Sequence, residues 1–224
     1  MSDINKNLIK VREDIRKVAI KANRDPDLIR LVAVTKTFPV EVITEAIEAG
    51  VRAIGENRVQ EAYQKYKVIG NKAEWHLIGH LQRNKAKMAV EIFDLIHSVD
   101  SLRIAEEINK CALRINKIQD ILIQVNVSGE VSKFGIRSDH LKGFLKEVAS
   151  LDNIRVRGLM TIAPITDDPE DTRPYFRDLR RLADDIGMEY LSMGMSGDFN
   201  VAIEEGSNIV RLGTILFGHR ESYG

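Results

Sequence analysis

Short apolar runs alternate with amphipathic stretches along the whole chain. Residues such as Val40, Ile43 and Ile47 recur at intervals of three and four, which indicates helices between the runs. The runs predict eight buried strands, at 31–34, 51–54, 75–78, 95–99, 121–127, 156–162, 190–193 and 208–212. Strict alternation predicts an α/β protein with a parallel sheet and helices outside it. Eight units favour a closed (β/α)8 TIM barrel, and an open α/β sheet is the alternative.

An extra helix is predicted before the first strand, within residues 1–22. Its apolar residues are spaced four and three apart, which defines one face of a helix. They are Ile4, Leu8, Val11, Ile15 and Val18. We expect this helix to pack on the barrel, and the chain 1–224 to be one domain.

Composition narrows the function classes. The chain has 224 residues with 33 Lys plus Arg and 33 Asp plus Glu, so its balanced charge predicts neither nucleic acid nor an anionic membrane as a partner. No apolar stretch approaches the roughly 20 residues of a membrane helix. The single cysteine, Cys111, and a polar N-terminus predict a cytoplasmic protein. No metal site is predicted.

The carboxyl ends of the strands define the expected functional face, because active sites of β/α barrels lie at that end. We call this end the mouth of the barrel. The residues predicted there are Lys36, Glu56, Asn57, His80, Ser98, Asn126, Met160, Thr161, Ser196, Gly213 and Thr214.

Lys36 ends the first apolar run directly. One interpretation is that its stem follows the strand end while its ammonium reaches water, as most lysines do. The other is that Lys36 points into a site, where desolvation lowers its pKa and its amine forms a Schiff base with a carbonyl. Its neighbours at the mouth decide between the two.

The last two loops predict a phosphate site. Ser196 and Thr214 offer hydroxyl donors, while Gly197 and Gly213 allow backbone N–H groups to approach an anion. Ser196 could instead simply cap the short helix that follows it. Arg211, within the last strand, either forms an ion pair outside the barrel or points inward toward a ligand heteroatom.

A lysine amine, a phosphate site and an inward arginine together match the needs of pyridoxal phosphate. At this point the chain resembles the pyridoxal phosphate homeostasis proteins, single-domain relatives of the alanine racemase N-terminal barrel (fold type III among pyridoxal phosphate proteins). The resemblance covers nearly the whole chain. Its carriers are the blocks VAVTK at 32–36, GENRVQE at 55–61, WHLIGHLQRNK at 75–85, GLMT at 158–161, LSMGMSGD at 191–198 and RLGT at 211–214.

The resemblance implies a role for each matching residue. Lys36 would hold pyridoxal phosphate covalently as a Schiff base, and Arg211 would face the pyridine nitrogen. Asn57 and Met160 would line the cofactor. The phosphate would be bound by Ser196, Gly197, Gly213 and Thr214. The block 79–85 has no chemical role that we can derive.

Catalysis is expected to be weak or absent. A guanidinium facing the ring nitrogen disfavours its protonation and so weakens the cofactor as an electron sink. The second base of alanine racemase is a tyrosine from a second domain, which this chain is expected to lack. One hypothesis is therefore a monomeric protein that stores, buffers or delivers pyridoxal phosphate, with apo forms of cofactor-dependent enzymes as partners. The alternatives are a low-activity racemase or lyase, and a barrel that takes a phosphorylated sugar.

Overall fold

Parallel strands form a closed barrel in the computed structural model, which describes residues 2–130 and 133–218. Within these residues the barrel has eight strands, joined in the order β4-β3-β2-β1-β9-β8-β7-β5 and closed by pairing of β4 with β5. They are β1 Arg30–Val34, β2 Ala53–Glu56, β3 Glu74–Leu77, β4 Leu95–Val99, β5 Gln119–Asn126, β7 Ile154–Met160, β8 Tyr190–Ser192 and β9 Ile209–Leu212. The predicted barrel is confirmed, and the open sheet is excluded because the ends pair.

A ninth short strand, β6 (Ile136–Arg137), was not predicted. It pairs with the end of β5, where Val125 lies opposite Ile136. It therefore extends the sheet only at the mouth and takes no part in closing the barrel.

Helices surround the strands. The described ones are α1 Asp3–Lys21, α2 Val40–Glu48, α3 Val59–Ile69, α4 Ala86–Ile92, α5 Leu102–Arg114, α6 Leu141–Val148, α7 Arg173–Ile186, α8 Phe199–Glu204 and α9 Thr214–Phe217. The predicted N-terminal helix is α1, whose first turn is capped by the Ser2 hydroxyl. It packs against α2, α8 and α9. No helix in the described part of the chain combines the length and apolar character needed to cross a membrane.

Apolar side chains are buried on both faces of the strands, which is why the strands appear in the sequence as continuous apolar runs. One cluster fills the barrel interior and contains Val32, Ala53, Leu95, Leu122, Met160 and Ile209. A larger cluster lies between the strands and the helices. Consecutive residues alternate between these two layers, so an interior position recurs at every second residue of a strand.

Three predicted strand bounds are wrong by about two residues, because charged or polar residues join the sheet where residues of a neighbouring strand or helix bind them. The strand predicted at 51–54 is β2, which includes the fully buried Glu56. The strands predicted at 121–127 and 156–162 begin two residues earlier, as β5 and β7. There Arg155 of β7 donates to both carboxylate oxygens of Asp120 of β5, at 2.6 and 2.9 Å.

Candidate functional site at the barrel mouth

Lys36 lies in the turn that follows β1, and its side chain is partly buried. Val32 of β1 faces the barrel interior, whereas the Thr35 hydroxyl donates to Glu56 Oε1 at 2.6 Å in the outer layer. Lys36 directly follows Thr35 at the carboxyl end of β1, so it lies at the rim of the mouth. The structure thus brings Lys36 to the predicted end of the barrel.

The turn that carries Lys36 is strained and tightly bonded. Thr37 has φ of 69°, in the left-handed region that β-branched residues rarely adopt. Its N–H donates to Glu61 Oε1 at 2.6 Å, and the Lys65 ammonium donates to the Thr35 carbonyl at 2.8 Å. Backbone strain of this kind costs about 1–3 kcal/mol and persists only where surrounding contacts impose it. The bonds from α3 therefore fix the backbone on both sides of Lys36.

A buried charge cluster supplies these bonds. The Lys65 ammonium, with 8% of its side chain exposed, lies 2.7 Å from one carboxylate oxygen each of Glu56 and Glu61. Burial raises the pKa of Glu56, although Lys65 acts against the shift. For Glu61 burial also acts upward, but hydrogen bonds from Lys65 and the Thr37 N–H hold its pKa below the usual value. The cluster depends on Lys65, which separates two carboxylates.

We expect Lys65→Met to destabilise the fold by about 3–5 kcal/mol, the cost of removing one partner from a buried ion pair. The substitution also leaves the strained turn without the bond to the Thr35 carbonyl, so capture of an aldehyde by Lys36 should slow. Denaturant unfolding measures the first effect, and the rate of borohydride-trapped modification of Lys36 measures the second.

Lys67→Met is the matched control, because Lys67 lies on the same helix and is exposed. An exposed substitution of this kind changes stability by about 0.5 kcal/mol or less. Equal unfolding free energies for the two variants would contradict the role assigned to the cluster.

Arg211 points into the barrel, two residues beyond the interior residue Ile209. Its Nη1 donates to Ser192 Oγ at 2.7 Å, and its Nη2 donates to the Thr161 carbonyl at 2.9 Å. Burial lowers the pKa of Arg211 to about 10, with the Asp198 carboxylate acting in the opposite direction. The guanidinium therefore remains charged at neutral pH. The side chain thus points inward and forms no ion pair with the described residues outside the barrel, and its contact with a ligand heteroatom remains a prediction.

The loops after β8 and β9 meet at the mouth. The Gly213 N–H donates to Ser196 Oγ at 3.3 Å, which joins the two loops directly. Gly197 and Thr214 are exposed beside them, and Gly213 immediately precedes α9. The four residues predicted to bind phosphate are thus brought together, with Ser196 bonding across the loops rather than capping α8, for which no side-chain cap is seen.

The loop after β8 has a fixed shape. Gly194 has φ of 92°, and a Cβ there would lie 2.6 Å from the Ala202 side chain, so no larger residue fits. The Met195 N–H donates to Asp198 Oδ1 at 2.6 Å and closes the loop. These contacts hold Ser196 and Gly197 at the mouth.

Asn57 and Met160 lie at different depths in the barrel. Asn57 follows β2, and its Oδ1 is buried with no hydrogen-bond partner in the described part of the chain. Its backbone is so close to Gly79 that a Cβ at residue 79 would collide with it. Met160 is fully buried in the interior cluster, beside Ser192 of β8 in register. That these two residues line a cofactor remains a prediction.

The other residues predicted at the mouth make structural contacts. The hydroxyls of Ser98 and Thr161 donate to the carbonyls of Gly79 and Val125, at 2.6 and 2.8 Å. Asn126 holds the following loop through the Glu130 carbonyl. His80 Nδ1 lies 3.2 Å from Asp100. Sequence reasoning missed Glu61 and Lys65, although their spacing of four residues on a helix is typical of an ion pair.

Comparison with known proteins decides the family. The family model described as "Alanine racemase, N-terminal domain" matches residues 7–221. A pyridoxal phosphate homeostasis protein of Aquifex aeolicus is 48% identical over 221 residues, covering 96% of this chain and 97% of the relative. A protein of the same name from Pseudomonas aeruginosa is 42% identical, covering 100% and 98%.

The chain belongs to the pyridoxal phosphate homeostasis protein family.

Solved structures agree with this family and fold. PipY of Synechococcus elongatus, solved with pyridoxal phosphate bound, has a TM-score of 0.85 and 36% identity, covering 96% of this chain and 100% of PipY. An alanine racemase of Clostridium difficile has a TM-score of 0.76 but 18% identity, and is covered over 57% of its length. The likeness to this alanine racemase shows a shared fold alone.

The residues at the mouth fit the chemical groups of pyridoxal phosphate, the cofactor in the name of this family. Among the described residues, the buried Asn57 Oδ1 has no hydrogen-bond partner. Arg211 is a buried cation that faces the interior, and the Ser196 hydroxyl, which accepts from the Gly213 N–H, keeps its own proton to donate to an anion. In the described part of the chain, no group of three His, Cys, Asp or Glu side chains could hold a metal ion.

Proposed function

We propose that this member of the homeostasis protein family binds pyridoxal 5'-phosphate at the barrel mouth, with Lys36 as the covalent attachment residue. The observation that carries the proposal is the bond from the Gly213 N–H to Ser196 Oγ, which joins the two loops of the proposed anion site at the same end of the barrel as Lys36. The cofactor supplies an aldehyde that a lysine amine can capture and a phosphate that these loops can bind. Gly197 and Thr214 complete the phosphate site.

Arg211 would face the ring nitrogen, with Asn57 and Met160 beside the cofactor. A guanidinium only donates hydrogen bonds, so Arg211 disfavours a protonated ring nitrogen. This side chain therefore favours retention of the cofactor over chemistry that requires a strong electron sink. We infer that the protein stores, buffers or delivers pyridoxal phosphate, with apo forms of cofactor-dependent enzymes as recipients.

We further propose that the protein is cytoplasmic and monomeric. The buried Cys111 is the only cysteine, so no disulfide can form within the chain, which suits a reducing compartment. The cofactor is the one ligand proposed, and neither nucleic acid nor a membrane is proposed as a partner. The neutral net charge supports that choice.

Delivery and catalysis can be measured on the same preparation. We expect the protein loaded with pyridoxal phosphate to activate an apoenzyme. We expect it to exchange the α-protons of amino acids at a rate far below the median enzyme turnover number of about 10 per second. Exchange is followed by NMR in heavy water, and delivery is compared with an equal concentration of free cofactor. Exchange near the median rate that is lost in Lys36→Ala would make the protein a racemase or lyase instead.

A further inference from the structure

A line of polar side chains crosses the barrel interior, beside the apolar residues of the interior cluster. Its members are His76 of β3, His97 of β4, Ser192 of β8 and Arg211 of β9, each with 4% or less of its surface exposed. They occupy interior positions, since His97 lies two residues beyond Leu95 and Arg211 two beyond Ile209. Burying four polar groups in a barrel core is unfavourable unless they are bonded to one another.

The bonds are continuous from the mouth inward. Arg211 Nη1 lies 2.7 Å from Ser192 Oγ, which lies 2.9 Å from His97 Nδ1. His97 Nε2 lies 3.0 Å from His76 Nδ1. His76 Nε2 lies 3.5 Å from the carboxylate of Glu74, which is exposed at the opposite end of the barrel. We call these five residues the interior chain.

The guanidinium, together with the need of each buried proton for an acceptor, sets the direction of the bonds in the interior chain. Arg211 can only donate, so Ser192 Oγ accepts from it. Ser192 is fully buried, and among the described residues the other partner of its oxygen is His97 Nδ1, so the hydroxyl proton goes there. His97 must carry its own proton on Nε2 and donate it to His76 Nδ1. His76 in turn carries its proton on Nε2, facing Glu74.

In this arrangement each histidine accepts through Nδ1 and donates through Nε2. Burial, with the nearby His76 and Arg211, holds the pKa of His97 well below its usual value. The charges of the interior chain are therefore confined to its two ends, the guanidinium at the mouth and the carboxylate at the far end. A neutral His97 leaves its Nδ1 free to accept from Ser192, which keeps the serine oxygen oriented as an acceptor for Arg211.

We propose that Ser192 and His97 are positioning residues that hold the Arg211 guanidinium in the orientation in which it meets the cofactor ring. This inference rests on the proposed function. Ser192 fixes Nη1 while the Thr161 carbonyl fixes Nη2, so the guanidinium plane is held at two points. Loss of the Ser192 acceptor would leave a buried donor unpaired, and the arginine would rotate toward another partner.

The first arm of the test needs no cofactor. Long-range ¹H–¹⁵N NMR of the histidine rings in the cofactor-free wild-type protein should show His76 and His97 each protonated on Nε2, with Nδ1 as the acceptor. The His97→Asn variant assigns the signal of residue 97. A His97 ring protonated on Nδ1, or on both nitrogens, would overturn the direction of the interior chain.

The second arm uses the protein saturated with pyridoxal phosphate. Ser192→Ala should shift the visible absorbance of the bound cofactor and raise the dissociation constant about tenfold, as for the loss of one buried hydrogen bond. Leu122→Met, a substitution in the same interior with no polar contact, should leave both unchanged. His97→Leu should shift the absorbance and raise the dissociation constant in the same direction as Ser192→Ala. His97→Asn should stay closer to wild type in both, because its amide oxygen can replace Nδ1 as the acceptor.

The outcomes separate the two proposals. Suppose that the wild type binds the cofactor and that Ser192→Ala and His97→Leu keep its spectrum and affinity. That result would overturn the positioning role and leave the proposed function standing. A wild-type protein that binds no pyridoxal phosphate would overturn the proposed function and any role toward the cofactor, while the NMR result still decides the direction of the interior chain. If Ser192→Ala does not fold, the comparison of His97→Leu with His97→Asn gives the same decision.

Discussion

Replacing Lys36 by alanine is expected to abolish the borohydride-reducible visible absorbance of the protein mixed with pyridoxal phosphate, while the fold is kept. Lys36 lies in a turn at the mouth and is only partly buried, so its removal opens no cavity in the core. The amine that captures the aldehyde is lost entirely, which makes this the largest effect expected from a single substitution. Absorbance before and after borohydride measures capture, and thermal unfolding measures the fold.

Two control variants separate charge from chemistry. Lys36→Arg keeps a cation in the turn but has no amine that forms a Schiff base, so it should behave like Lys36→Ala. Lys87→Ala removes an exposed lysine of α4 and should bind the cofactor as the wild type does. A reducible adduct that persists in Lys36→Ala and disappears in Lys87→Ala would contradict the assignment.

Pyridoxal, which lacks the phosphate, should bind at least about a hundredfold more weakly than pyridoxal phosphate. Hydrogen bonds to a charged group are worth about 1.5–3 kcal/mol each, and two of them correspond to two or more decades in dissociation constant. The hydroxyls of Ser196 and Thr214 are the two proposed donors, on loops that the bond from the Gly213 N–H to Ser196 Oγ holds together. Spectroscopic titration of the cofactor-free protein with each compound gives the ratio.

Ser196→Ala provides the matched test of where the phosphate binds. It should weaken pyridoxal phosphate about tenfold or more and leave the affinity for pyridoxal unchanged, because only the first compound carries the group that Ser196 contacts. Equal affinities of the wild type for the two compounds would remove the reason for assigning a phosphate to these loops. A loss of both affinities in Ser196→Ala would indicate damage to the loop instead.

The fold could be predicted from the sequence because each buried strand is a continuous apolar run, and eight such runs alternate with helical periodicity. The mouth followed from a general rule for these barrels, which is why Lys36, Ser196 and Gly213 could be predicted to lie at this end. Strand bounds were less accurate. Glu56 is a strand residue with a buried carboxylate, which the Lys65 ammonium of the following helix and the Thr35 hydroxyl stabilise.

The supporting contacts could not be predicted for a physical reason. His76, His97, Ser192 and Arg211 lie far apart in the sequence and meet only because the barrel closes and directs alternate residues inward. Each of them alone is an ordinary polar residue in a strand. Likewise, the left-handed backbone of Thr37 follows from bonds made by α3, since nothing in the residue type favours it.

The most direct test of the central claim is reduction of the pyridoxal phosphate-loaded wild-type protein with borohydride, followed by proteolysis and mass spectrometric mapping of the modified peptide. We predict one stoichiometric modification, on Lys36. A modification spread over many exposed lysines, or concentrated on a lysine other than Lys36, would contradict the proposed site.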